Sequence, residues 1–471
     1  MTPHSPNLRD LCARLDAEAR ALTAALPPAT LVASVTVAAP ACTVELLPPP
    51  GADAVYWAQP ERSVLQLGLG RAHAWSASGA RRFAELGTRA QALRAAWTHR
   101  DADATGARPL AFAGFAYDPD ETADGRPNLE LRVPELLLAR APGGGARATL
   151  SWRADAGVAA LERTLANAAV WLDALPRVTA GEPAPLERVA AMPSDEMWRA
   201  RVRQAVTDIR GGRLEKVVLS RRVRYRAPEP VDAARVLRAC RAEYPGCTHF
   251  AWSGADGVLL GASPERLVAL GGRQVVSDAI AGTAPRSASP PEDERLEVGL
   301  RVSGKIGQEH HPVVTSIARQ LLPLCDELEL PEEAGVLKLA NAQHLWIPIS
   351  GRVKGGVDLP ALLERLHPTP AVGGTPREAA LAWQASHGER RGAWYAGAVG
   401  WMDRDGDGEF SVVLRSAWIA GRDVDLFAGA GIVAESDPEA ELAETEIKLC
   451  AMLDVIEESH AGALARSGRR R

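Results

Sequence analysis

The sequence predicts an α+β protein built on large antiparallel sheets. Two observations carry this. Strand-like runs follow one another across tight turns, notably around 396–402, 410–419 and 423–428. Amphipathic helical runs fall between such groups without a regular strand–helix–strand alternation, which argues against a parallel doubly wound sheet. The 471 residues suffice for one large domain or two to three ordinary ones.

Residues 8–26 read as a first helix, with Leu8, Leu11, Leu15, Ala19 and Leu22 along one stripe. The most apolar stretch, Leu31 to Cys42, is too short to span a bilayer, and its valines and threonine suggest a buried strand. Up to about 175, short β-branched runs mix with Ala/Leu-rich helices. Phe112-Ala113-Gly114-Phe115 reads as a strand closed by the turn Asp118-Pro119-Asp120, and 141–147 as a flexible hairpin tip. Pro176, Pro183, Pro185 and Pro193 make 176–193 the best linker candidate, since proline interrupts both helices and ladders. This divides the chain into an N-terminal region, 1–190, expected to extend the same sheets, a catalytic domain, 191–460, and a basic tail, 461–471.

Beyond the linker, Ser194 is a helix N-cap candidate. Trp198, Val202, Ala205, Val206 and Ile209 then recur at helical spacing until Gly211-Gly212. Lys216 to Ser220 is a strand. Further strands are expected at 258–261, 274–280, 396–402, 410–419 and 423–428. Helices are expected near 231–243, 294–304, 312–325 and 436–458.

Composition excludes several function classes. A formal net charge of -5 lacks the positive field that non-specific nucleic-acid binding needs. Six cysteines, Cys12, Cys42, Cys240, Cys247, Cys325 and Cys450, show no C-x-x-C pair and no zinc spacing. A reducing cytoplasm is expected. Asp10, Asp16 and Glu18 interrupt the apolar residues that a signal peptide would need.

Several local patterns carry chemistry. Ser436-Asp437-Pro438-Glu439 is a strong helix start, and Glu441, Glu444 and Lys448 then share one face. Taken alone, that face reads as solvated, with a Glu444–Lys448 ion pair. The preceding Gly429-Ala430-Gly431 ends a buried-looking strand, where glycines let a ligand approach the backbone. Gly429-x-Gly431-x-x-Ala434 also fits a dinucleotide fingerprint, but Pro438 puts the helix start too late for one. Asp403-x-Asp405-x-Asp407-Gly408 mimics an EF-hand loop, yet Leu414 stands where its final glutamate belongs, so a hairpin turn is the better reading.

Lys216 sits in an apolar strand. At a strand edge it would be a surface residue; facing an enclosed site it would have a lowered pKa and could act as a base. Glu265 follows another strand at a turn. Glu309-His310-His311 lies on a helix, and adjacent histidines point apart, so Glu309 with Glu441 and Glu444 would form an all-oxygen site suited to magnesium.

Taken together these segments are ordered like a known family. Glu215-Lys216-Val217-Val218-Leu219-Ser220-Arg221, Gly261-Ala262-Ser263-Pro264-Glu265-Arg266-Leu267, Ala281-Gly282-Thr283, Gln343-His344-Leu345, and Gly429–Val433 with Ser436–Glu439, Glu444-Thr445 and Lys448, resemble the chorismate-utilising enzymes across about 195–458. That family includes isochorismate, salicylate, anthranilate and aminodeoxychorismate synthases. Within it, His367-Pro368-Thr369-Pro370-Ala371-Val372-Gly373-Gly374 resembles the isochorismate synthase branch. Tyr56-Trp57-x-x-Pro60-Glu61 and Gly114–Pro119 resemble long isochorismate synthases, including those feeding salicylate-derived siderophores.

The resemblance implies two large antiparallel sheets flanked by helices and conversion of chorismate to isochorismate with Mg2+. It implies that Lys216 activates water at C2 and that Glu265 protonates the departing C4 hydroxyl. Glu309 and Glu444 would hold the metal with Glu441 close by, and the metal would bind the ring carboxylate. Arg415 and Tyr395 would take the enolpyruvyl carboxylate; Lys448 and the Gly429/Gly431 backbone would hold the ring carboxylate side. His344, Gly282 and Thr283 would line the pocket. No nucleic acid or membrane partner is implied, and a monomer or weak dimer is expected. The product could serve menaquinone, catecholate siderophore or salicylate biosynthesis.

Rival readings are a salicylate synthase, an amine-transferring subunit working with a glutaminase, and a non-catalytic chorismate-binding protein. The last is prompted by a departure: many isochorismate synthases carry Lys-Asp-Arg-His-Glu-His where this chain has Lys305-Ile306-Gly307-Gln308-Glu309-His310. Gly307 weakens its helix by about 1 kcal/mol relative to alanine.

Overall fold

The computed structural model describes residues 6–459 apart from 40–45, 122–125, 141, 142, 144, 176–184, 255, 340 and 341, and leaves the side chains of 6–9, 304–306, 308, 309 and 459 undescribed. Cys42, the basic tail and the first half of the linker 176–193 therefore lie outside the described residues.

The chain builds two large sheets, of thirteen and ten strands. Ladders are antiparallel throughout the described residues, except that Val32–Ala38 runs parallel to Trp97–Asp101. Strands from before and after residue 190 share both sheets. In the larger one, Ala54–Gln59 pairs with Thr248–Gly254, and in the smaller, Leu110–Phe115 pairs with Ala398–Asp403. Period-two alternation sorts their side chains. Val55 and Trp57 enter a core shared with the second sheet, whereas Ala54, Tyr56 and Ala58 face a second core. That second core is covered by helices including Pro6–Thr23, Val158–Asp173, Ala233–Glu243 and Pro438–Ser459.

Most expected elements form. The Ser194 hydroxyl caps helix Asp195–Arg210 by accepting from the Met197 amide at 3.2 Å. Asp403 ends a strand, and its Oδ1 accepts from the amides of Asp405, Gly406 and Asp407, so the EF-hand-like run is a hairpin turn onto Gly408–Val412. The segment 141–147 joins the paired strands Leu136–Arg140 and Ala146–Arg153. The helix read at 312–325 begins earlier, as Gly304–Leu321, and runs through Gly307. No described helix is long and apolar enough to cross a membrane.

Two boundaries differ. The 410–419 run is not one strand: Gly408–Val412 belongs to the ten-stranded sheet and Ser416–Ala420 to the thirteen-stranded one. Arg415, at φ 47°, stands in the break between them. An unbroken apolar run hides such a change of sheet, because burial on both sides leaves no period to read. The linker region also contains a strand, Glu187–Met192, paired to the edge of Lys216–Arg226. Prolines at 185 and 193 bracket it rather than interrupt it.

Candidate active site

The cleft lies where both sheets and one helix end converge. Lys216–Arg226 pairs with Asp423–Ile432 in the register Val218↔Gly431 and Ser220↔Gly429. Alternation then divides each strand. Val217, Leu219, Ala430 and Ile432 pack against helix Asp195–Arg210, whereas Lys216, Val218, Gly429 and Gly431 line the cavity. A Cβ on Gly431 would sit 2.6 Å from Lys216 Cε, so glycine makes room for the lysine side chain. Lys216 itself is 3% exposed.

The His367–Gly374 segment braces this strand. The Gly373 carbonyl accepts from the Val218 amide at 2.9 Å, and Gly374 pairs with Val217. Ala371 and Val372 reach the cavity wall. The His367 Nε2–H donates to the Ala396 carbonyl at 3.0 Å, and burial keeps this imidazole neutral by pushing its pKa well down.

Glu265 enters from the turn after Gly257–Ser263. Its carboxyl is buried, and Oε1 has no hydrogen-bond partner among the described residues. Burial, with Asp278 nearby, pushes its pKa up to about 8 although Lys216 pulls the other way. The acid is thus protonated at neutral pH.

The second sheet supplies Gln274–Pro285 and Ala342–Val353, which pair with a register shift between Ala281 and Ala284. This bulge carries Gly282, at φ 73°, and Thr283 into the cavity. His344 lies against them. Its Nδ1 is 3.0 Å from the Gly282 carbonyl, an acceptor only, so Nδ1 carries the hydrogen and Nε2 accepts from Arg415 Nη2 at 3.4 Å. Burial first, then Arg415, pushes the His344 pKa down to about 3, which keeps that neutral tautomer.

Tyr395 and Arg415 stand on strained backbone. Ala393, Trp394 and Ala396 have φ of 45°, 60° and 61°, and Arg415 has 47°. Each such non-glycine residue costs on the order of 1–3 kcal/mol, a strain that clusters at functional sites. Burial raises the Tyr395 pKa to about 12 and keeps its phenol protonated.

Helix Pro438–Ser459 presents Glu444 and Lys448 to the cavity. Lys448 Nζ donates to Glu444 Oε1 at 2.6 Å and to the Gly429 carbonyl at 2.8 Å. The ion pair expected from the i,i+4 spacing is therefore present, on the cavity wall. Glu441, one turn earlier, is buried and is not among the lining residues. The Glu309 side chain is outside the described residues; its helix packs against Gln274–Pro285, with His310 Nε2–H donating to the Ala279 carbonyl at 3.2 Å. His311 turns instead to Thr315, so the two histidines do point apart. Among the described residues no three His, Cys, Asp or Glu side chains gather into a metal cluster.

Lys216, Glu265, Gly282, Thr283, His344, Tyr395, Arg415, Gly429, Gly431, Glu444 and Lys448 thus share one cavity. The sequence reading missed Arg391, which also lines it. Adjacent arginines after a helix carry no periodic signal that tells a buried one from an exposed one.

A sequence description of the family "Chorismate binding enzyme" matches residues 26–457. The salicylate biosynthesis isochorismate synthase of Pseudomonas aeruginosa is 35% identical over 416 residues, covering 85% of this chain and 84% of that protein. The isochorismate synthase MenF of Bacillus subtilis is 29% identical over 413 residues, covering 85% and 87%. Among solved structures, MenF, the menaquinone-specific isochorismate synthase from Escherichia coli, superposes with a TM-score of 0.74 at 25% identity, covering 94% of this chain and 99% of that one. Anthranilate synthase component I from Streptococcus pneumoniae shares the fold at a TM-score of 0.60 and 18% identity, covering 91% and 93%.

Proposed function

The chain belongs to the chorismate-binding enzymes, and on that premise we propose that it is an isochorismate synthase, an isomerase acting on chorismate. The observation that carries this reading is a buried, protonated Glu265 sharing one cavity with Lys216. Exchanging a hydroxyl between ring carbons needs an acid and a base at separate points on one ring.

Lys216 takes a proton from water as its oxygen bonds to C2. The ring π electrons shift, and the C4–O bond breaks as Glu265 gives its proton to the leaving oxygen. One water enters and one leaves. Arg415 and Tyr395 hold the enolpyruvyl carboxylate, while Lys448 and the Gly429 and Gly431 backbone hold the ring carboxylate end. Neutral His344, Gly282 and Thr283 shape the wall.

Magnesium fits the donor chemistry, because Glu444, the carboxylate beside Lys448 on the cavity wall, offers only oxygen. Glu444, Glu441 and Glu309 are its proposed ligands. When bound, the ion supplies positive charge to the ring carboxylate and converts the acidic helix face to net attraction. Residues 191–460 act in this reading as the catalytic part, with 1–190 extending its sheets.

Purified protein with magnesium and chorismate should form isochorismate as the main product by chromatography. Salicylate with pyruvate as main products, or an amino product requiring ammonia, would replace this reading with one of its rivals.

A further inference from the structure

Arg391 is 4% exposed, yet its guanidinium meets no carboxylate among the described residues. Nη2 donates to the Val218 carbonyl at 3.1 Å, Cζ lies 3.8 Å from the Tyr117 ring centroid, and Nε is buried without an acceptor. The neighbouring buried carboxylate, Glu389, is already engaged by Ser220 and Arg201. Other buried arginines differ. Arg132 holds Glu130 and Asp53, and Arg221 holds Asp195 and Glu446. Arg82 also lacks a carboxylate, but it donates to Asn128 and to the Asp118 and Tyr117 carbonyls, and it does not line the cavity.

A buried cation is costly unless a counter-charge meets it. Arg391 lines the cavity, whose substrate under the reading above is a dianion. We propose that Arg391 is a second cationic ligand for the substrate's side-chain carboxylate, acting beside Tyr395 and Arg415. This rests on the isochorismate synthase reading. The left-handed turn at Gly392–Trp394 carries Arg391 and Tyr395 on its two sides, and Arg391 and Arg415 both exert their charge on the Tyr395 hydroxyl. One carboxylate can accept from two guanidinium groups, since its two oxygens offer about four lone-pair sites. The substrate would then supply the counter-charge that the protein omits.

Arg391→Gln keeps a donor for the Val218 carbonyl and removes the charge. Its KM for chorismate should rise about tenfold or more, with kcat falling less than about threefold and the thermal midpoint little changed. Arg391→Lys should recover part of the KM. An unchanged KM in folded R391Q overturns the inference. So does a joint fall of kcat and thermal midpoint that lysine does not relieve, the pattern of a purely structural residue. Should R391Q not fold, a crystal structure of the Glu265→Gln variant with chorismate decides the matter. A side-chain carboxylate within about 3 Å of the Arg391 guanidinium supports the proposal, and one held by Arg415 alone overturns it. Wild-type protein that does not turn over chorismate removes both this inference and the function it rests on. Wild-type turnover with an insensitive R391Q removes this inference alone.

Discussion

Burial holds the Glu265 carboxyl protonated up to about pH 8, against an ordinary value of 4.5. This has two consequences of opposite kind. Catalysis needs the proton, so kcat/KM should fall roughly tenfold per pH unit above about 8. Stability runs the other way from a salt-bridged acid. Below pH 4.5 the native and unfolded chains both hold the proton and the group is indifferent. As pH rises towards 8 the unfolded chain releases it and the native state does not, so the native state loses relative stability. Glu265→Gln should cut turnover by about 10²–10⁴-fold. It should also be more stable than wild type at pH 8, by on the order of a few kcal/mol, with no difference near pH 4. Thermal unfolding of both proteins at the two pH values checks the second point. A variant that is inactive but less stable at pH 8 would contradict the assignment of Glu265 as a buried neutral acid.

The paired strands Lys216–Arg226 and Asp423–Ile432 show how an element converts sequence period into a site. Gly431 faces the cavity because it stands opposite Val218, and the space its missing Cβ leaves is filled by the Lys216 side chain. Gly431→Ala would put a methyl 2.6 Å from Lys216 Cε, the far end of a flexible chain. Folding should tolerate this: the lysine swings aside, and alanine in an extended strand restricts the unfolded chain. Turnover should not. We expect kcat to drop at least about tenfold with a thermal midpoint within a few degrees of wild type, since a displacement near 1 Å can cost about 100-fold.

These same elements show what the sequence discloses. Helical spacing put Glu444 and Lys448 on one face, and Gly429 and Gly431 marked a close approach. Lys216 and Lys448 read from pattern alone as surface residues as readily as site residues, and the family resemblance placed them in the site. The Arg415 position was legible only through family resemblance, since nothing in Val412-Val413-Leu414 marks the break where the chain changes sheets. Arg391 was not legible at all: that it is buried with no carboxylate paired to it among the described residues is a fact of packing, which the sequence does not print. The strained turn that places Tyr395 is equally silent, because Ala393 and Trp394 carry no preference for positive φ.

Across the whole molecule, the sheets do not respect the proline-rich segment near 176–193. Thr248–Gly254 has Ala54–Gln59 on one edge and Gly257–Ser263 on the other, and Ala398–Asp403 lies between Leu110–Phe115 and Gly408–Val412. Cutting at residue 190 would therefore strip a neighbouring strand from each sheet and expose both edges. It would also uncover Phe250, Trp252 and Val399, which pack in one core with Trp57, Phe112 and Phe115. Apolar loss on that scale, about 5–9 kcal/mol for these three side chains alone, is comparable with the 5–15 kcal/mol that separates a folded domain from its unfolded chain. Residues 191–471 expressed alone should consequently show no cooperative thermal transition and no isochorismate formation, even though they hold every proposed catalytic and metal-binding residue. Co-expression with 1–190 should restore both, because the missing strands can pair in trans. A fragment that unfolded cooperatively by itself would mean that the catalytic part is an independent domain and that the early strands only decorate it.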